Sequence, residues 1–204
     1  MSPGKRKSSE DRRADILSAT LDLAFEVGPD HVTTGMIARR LGLTQPAIYK
    51  HFPNKEHIWQ AATEAVCAQI GENARQGIQP GQTPVDVLRG LVLGHLSLIA
   101  AIPALPEIMV TRDPSGRLSE TRRAILAEIT VFRTAMARWF ELAQAAGQIR
   151  TELRPDDGGM LLFGIIQSLV LRLIVTRDAT MLVDDGARLL DLQFSLFTHK
   201  GHDA

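Results

Sequence analysis

The side chains that could do chemistry crowd into residues 41–56, LGLTQPAIYKHFPNKE, where Gln45, Tyr49, Lys50, His51 and Lys55 follow one another closely. A carboxamide, a phenol, an imidazole and two ammonium groups are hydrogen-bond donors, suited to holding an electron-rich partner. No catalytic arrangement accompanies them. The chain has no H-E-x-x-H, no glycine-rich phosphate loop, no Cys/His/Cys set and no G-x-S-x-G. Its histidines, His31, His51, His57, His95, His199 and His202, form no pair at ligand spacing on an apolar face. The expectation is therefore no enzyme, no metal and no cofactor. Cys67 is the only cysteine, so no intrachain disulfide is possible and a reducing compartment is expected.

Those donors sit on a helix too short to stand alone. Nucleating so few residues costs more than their hydrogen bonds return, so neighbouring helices must present it. The pattern becomes helical from Ser9, after a basic tail read as disordered over residues 1–9. Leu17, Leu21, Ala24 and Phe25 fall on one face of a first helix that ends at Gly28-Pro29-Asp30. Thr33 and Thr34 offer N-cap hydroxyls to a second helix containing Ile37, Ala38 and Leu41, and Gly42 stops it. Thr44 is the next N-cap candidate, Pro46 fits the first turn that follows, and Pro53 ends this third helix. Asn54 then caps a long fourth helix. Ile37 and Ala38 inward, glycine at the turn, and Leu43 and Ile48 between the helices describe a helix-turn-helix. In that motif the second helix enters the DNA major groove.

The remainder also reads as helix. A fifth helix runs through VLRGLVLGHLSLIAAI until Pro103 and Pro106 break it, and a short piece, EIMVTRD, precedes a turn at DPSG. Residues 117–147 carry Ile125, Ile129, Phe132, Met136, Phe140 and Ala143 at three- and four-residue spacing. Residues 157–176 are apolar all round. Their core, 160–175, falls short of the roughly 18–20 residues of a membrane span and contains Gln167, Ser168 and Arg172, so a buried helix is expected rather than a membrane contact. A last amphipathic helix closes the chain. The aromatic share of 5% favours helix over sheet. The fold class is all-α, about nine helices, with an N-terminal helix-turn-helix bundle at 10–56 and a larger helical domain at 57–204.

Formal net charge is zero, so a polyanion signal has to be local. The first 56 residues hold nine Lys/Arg against seven Asp/Glu, and the rest fourteen against sixteen, a small bias toward the donor-rich end. The N-terminus has no apolar segment of signal-peptide type, so a cytoplasmic protein is expected.

TTGMIARRLGLTQPAIYKHFPNKE, residues 33–56, resembles the DNA-binding segment of the TetR (TetR/AcrR) family of bacterial transcriptional regulators. The shared pattern is Thr-Thr, Ile-Ala, Leu-Gly and a Tyr-x-His-Phe-x-x-Lys-Glu tail. The resemblance implies phosphate contacts from Thr34, Thr44, Tyr49, His51 and Lys55. Gln45, Pro46, Ala47 and Lys50 are then the groove-facing candidates, Gln45 for an adenine edge and Lys50 for a guanine. The sequence departs from the pattern at Gly35, where some members carry a base-reading side chain. Fewer base contacts are expected from that helix, with Arg39 or Arg40 reaching phosphates at most.

The resemblance further implies a homodimer formed by the last two helices, double-stranded operator DNA as partner, and a small-molecule effector pocket. Leu182, Leu189, Leu190, Leu192, Phe194 and Leu196 supply apolar surface on the last helix. His95, Leu98, Ile102, Met109, Phe132, Met136, Phe163 and Gln167 are the pocket candidates, and their composition suggests an apolar ligand. Arg172 is expected to pair an acidic group across the dimer, or an acidic ligand. The implied function is a ligand-responsive repressor. The alternative is a DNA-binding regulator or nucleoid-associated protein controlled by a protein partner.

Overall fold

The first helix starts where its capping residues allow it. In the computed structural model, which describes residues 8–75, 77, 79–110, 116 and 118–198, Ser8 and Asp11 form a reciprocal capping box at the start of α1 (Ser9–Val27). Of the segment read as a basic tail, residues 1–7 lie outside the described ones. Among the described residues all regular structure is helical. After α1 come a 3-10 turn (Pro29–His31), α2 (Thr34–Arg40), α3 (Gln45–Tyr49), α4 (Lys55–Ala74), α5 (Pro84–Ala101), α6 (Ala104–Val110), α7 (Ser119–Ala145), α8 (Pro155–Thr176) and α9 (Leu182–Phe197). Among the described residues the all-α reading with about nine helices holds.

The chain divides into two units, Met1–Val66 with Ile102–Ile125, and Cys67–Ala101 with Leu126–Ala204. The boundary expected after residue 56 falls at the second residue of α4, ahead of the structural division within that helix. In the first unit α1 packs on α2 and α6, and α2 on α3. Ile16, Leu23, Ala24, Val32, Ile37, Ile48, Phe52 and Ile58 are buried there. The buried face of α1 is rotated from the expected one: Ile16, Ala19, Thr20, Leu23 and Ala24 point inward, while Leu17, Leu21 and Phe25 are only part-buried. Thr20 can join the core because its hydroxyl donates to the Ile16 carbonyl at 2.7 Å.

In the second unit α5, α8 and α9 pack on one another. A Cβ on Gly186 of α9 would lie 2.2 Å from Leu96 Cδ1 of α5, so glycine is what lets these helices meet. The stripe read on α7 is buried as expected from Phe132 through Met136 and Phe140 to Ala143. On α9 the apolar set divides: Leu182, Leu190 and Phe194 are buried, whereas Leu192 and Leu196 are exposed. Arg172 pairs with Asp185 of its own chain, linking α8 to α9, where a partner across a dimer or an acidic ligand was expected. Pro103 lies between α5 and α6, but Pro106 is the third residue of α6, where its missing N–H costs nothing. Residues 111–113 of the expected sixth piece, and 113–115 of the turn after it, lie outside the described residues.

Candidate nucleic-acid interface

The turn between α2 and α3 is closed by backbone geometry. Gly42 has φ +65°, its N–H donates to the Arg39 carbonyl at 3.2 Å, and the Leu43 N–H donates to the Ala38 carbonyl at 2.8 Å. These are the paired bonds of a Schellman stop. A Cβ on Gly42 would meet nothing within 4 Å, so the left-handed backbone, rather than lack of room, demands glycine there. Thr33 caps α2, its hydroxyl accepting from Met36 N at 3.2 Å. Thr34 is thereby freed from capping.

Helix α3 is anchored from beneath. Ile48 and Phe52 are buried, while Thr44, Gln45, Pro46, Tyr49 and Lys50 are exposed and Ala47, His51 and Lys55 are partly so. All of the expected groove- and phosphate-facing residues but one are thus at least partly accessible. Thr34 is buried, and its hydroxyl points at α3. It accepts from Gln45 Nε2 at 2.7 Å and lies 3.2 Å from the Tyr49 hydroxyl. Thr44 N-caps α3 without a side-chain capping bond.

The end of α3 is held by α1. Arg13 donates to the His51 carbonyl, and its guanidinium lies 4.1 Å above the Phe52 ring. Ser9 Oγ lies 3.5 Å from His51 Nδ1. Asn54 Oδ1 accepts from His57 N at 3.0 Å and so starts α4, with Lys55 in its first turn. Arg40 pairs with Glu26 of α1, and the hydrogen bond from Arg40 holds the Glu26 carboxyl below its ordinary range. Arg39 has an exposed side chain. The clamping roles of Arg13, Ser9 and Glu26 had no local signal in the sequence, because each depends on a residue distant in the chain.

A family model described as bacterial regulatory proteins, tetR family, matches residues 16–62. The nucleoid occlusion factor SlmA of Marinobacter nauticus is 32% identical over 155 residues, 71% of this chain and 72% of that protein. The chain belongs to the TetR family. The tetracycline repressor class A from transposon 1721 of Escherichia coli is 48% identical over 54 residues, which span 26% of this chain and 25% of the repressor. Among solved structures, the complex of SmeT with triclosan shares the fold, with a TM-score of 0.66 and 23% identity over 94% of this chain and 93% of that one.

In this TetR-family chain the candidate effector residues fall into separate groups. His95, Leu98, Phe132 and Met136 are buried in the second unit, where Phe163 is half-buried and Gln167 is exposed. Ile102 and Met109, both half-buried, belong to the first unit. The structure brings three of the rings together: His95 stacks on Phe132 with centroids 4.7 Å apart, and Phe163 lies 6.4 Å from Phe132. Among the described residues Nδ1 of His95 is buried without a hydrogen-bond partner, and burial pushes the His95 pKa down to about 4. An open cavity of about 400 Å³ lies in the first unit, lined by residues that include Pro29, Lys55, Trp59, Thr63 and Leu118. None of the effector candidates lines it.

Proposed function

We propose that this TetR-family protein is a cytoplasmic, ligand-responsive repressor that binds a near-palindromic operator as a homodimer and is released by a small, largely apolar effector. The observation that carries the reading is the ridge on α3. Gln45, Pro46, Tyr49 and Lys50 stand exposed over the buried Ile48 and Phe52, as a reading helix requires. Residues 10–56 form the DNA-binding domain in this reading, and 57–204 bind the ligand and the twin subunit. Gln45, Pro46, Ala47 and Lys50 meet base edges, while Thr44, Tyr49, His51 and Lys55 meet phosphates. Thr34 acts through its neighbours. Effector binding favours a spacing of the two heads that DNA does not fit, with α4 as the lever.

The aromatic cluster of His95, Phe132 and Phe163, with one unsatisfied ring nitrogen, supports an apolar effector carrying a single hydrogen-bonding group. The triclosan bound by SmeT has that character, which favours small aromatic alcohols as first probes. A second reading, a chromosome-binding factor answering to a protein partner, is favoured by the match to the nucleoid occlusion factor. Thermal shift against a panel of apolar compounds separates the two. Stabilisation by a compound that also lowers operator affinity supports the repressor. A DNA-binding dimer that no compound stabilises supports the alternative.

Selection of duplexes from fragmented genomic DNA, followed by salt titration, tests the DNA reading. A palindrome should emerge, with a slope of log affinity against log salt near about −7 for roughly eight neutralised phosphates. Failure to enrich any duplex sinks the reading. Lys55→Ala should weaken binding on every sequence alike and reduce the slope by about two, because each subunit of the dimer loses one phosphate contact. Gln45→Ala should instead relax preference at one symmetric position, by about 1–3 kcal/mol.

A further inference from the structure

We propose that Thr34, which reaches no DNA itself, decides which base Gln45 accepts, and that the Tyr49 phosphate contact sets this choice. The inference rests on the assignment of α3 to the major groove. Its basis is a three-member chain: Gln45 Nε2 lies 2.7 Å from Thr34 Oγ1, which lies 3.2 Å from the Tyr49 hydroxyl. Thr34 is buried, while Gln45 and Tyr49 are exposed.

Proton counting fixes the sense of the chain. A phosphate oxygen only accepts, so a tyrosine that binds one must spend its single O–H proton outward. The Tyr49 oxygen can then only accept from Thr34. The Thr34 hydroxyl, having given its own proton to Tyr49, can only accept from Gln45, and an N–H of Nε2 supplies that bond. The opposite sense fails at its outer end. If Gln45 turned its carbonyl to Thr34, Thr34 would donate to it and Tyr49 would donate to Thr34. Tyr49 would then face the phosphate with lone pairs alone.

The phosphate contact thus locks the Gln45 carboxamide with Nε2 inward. What remains for the groove is the Oε1 acceptor and the second N–H of Nε2. That pair matches adenine, whose N6 donates and whose N7 accepts. Guanine presents two acceptors, O6 and N7, and would be served by the flipped amide. Thr34 therefore selects adenine over guanine by forbidding the flip. A single buried hydroxyl couples a sequence-blind contact to a sequence-reading one.

The test is a selection from a randomised duplex library with the full-length wild-type protein, Thr34→Val, Thr34→Ser and Gln45→Ala, each also titrated with salt on the wild-type site. Wild type should prefer adenine over guanine at one symmetric position by roughly 10- to 100-fold, the range of a bidentate pair. Thr34→Val should reduce that preference to less than about threefold. Its salt slope should be unchanged, because no phosphate contact is removed. Thr34→Ser, which restores the hydroxyl, should restore the preference. A merely structural role for Thr34 would lower affinity on all sequences and leave the base preference intact; that result overturns the proposal. Loss of adenine preference in Gln45→Ala alone, with Thr34→Val still selective, overturns it too while the groove assignment stands. An unchanged preference in Gln45→Ala, or a wild-type protein that selects no site, removes the groove assignment and the proposal with it.

Discussion

Lowering the pH from 7 to 4.5 is expected to cost this protein most of about 3 kcal/mol of stability through one side chain, His95. The ring is 3% exposed, and its Nδ1 has no partner among the described residues. Desolvation lowers its pKa from 6.5 to about 4. The folded state therefore holds the neutral ring, and the unfolded chain takes up a proton as pH falls through 6.5. Stability is complete above that value, declines as pH drops, and stops declining once the folded ring also protonates near pH 4. A difference of about 2.5 pH units corresponds to about 3 kcal/mol. The carboxylates held low by hydrogen bonds act elsewhere on the pH scale. Asp86 is lowered by its bonds from Thr83, Asp178 by its bonds from Thr180 and Asp185 by Arg172 first. Their contributions, and that of Glu26, are lost mainly as pH falls through and below the ordinary carboxylate range, so most of the fall between pH 6.5 and 4.5 comes from His95. Urea midpoints measured across that interval should slope for the wild type and flatten for His95→Leu. An equally steep fall in the variant would assign the sensitivity to other groups.

What was legible in the sequence was local. The helix-turn-helix rests on a glycine with φ +65°, two threonines ahead of helices, and Ile48 and Phe52 facing inward, all within a few turns of chain. The stripe on α7 was equally plain, because large apolar side chains recur there at helical spacing over many residues. The face of α1 was missed by one step, since Thr20 counts as polar until its hydroxyl is seen bonding to the Ile16 carbonyl. Pairings that cross long stretches of chain had no signature. Arg13 on Phe52 and Arg172 on Asp185 need the fold to bring them together. An all-apolar helix such as α8 hides its orientation, because periodicity vanishes when both faces are greasy. Gln167 stands on the exposed side of that helix, beyond what its neighbours in sequence could tell.

That same exposed side carries the second large expectation. Introducing glutamate at both Leu171 and Val175 should convert a dimer to monomers and cut operator affinity by roughly a hundredfold or more, since one head keeps only half of the contacts. Leu171 is 63% and Val175 74% exposed in the isolated chain. Met160 and Leu161 precede them on α8, and Leu192 and Leu196 stand exposed on α9. Burying a leucine is worth about 1.5–3 kcal/mol relative to leaving it in water. In a two-fold interface every such residue counts twice. Gly164, half-exposed between these positions, has nothing within 4 Å of where a Cβ would stand, which leaves room for a helix of the twin to approach closely. Four carboxylates placed near a two-fold axis repel one another and lose hydration there, which no rearrangement of surface leucines offsets. Sedimentation equilibrium reads the outcome directly. Leu142→Glu on α7, at a position 38% exposed, serves as the control and should remain dimeric. A double variant that still sediments as a dimer would move the interface off α8. A monomer that keeps full operator affinity would break the link between pairing and reading on which the proposed mechanism depends.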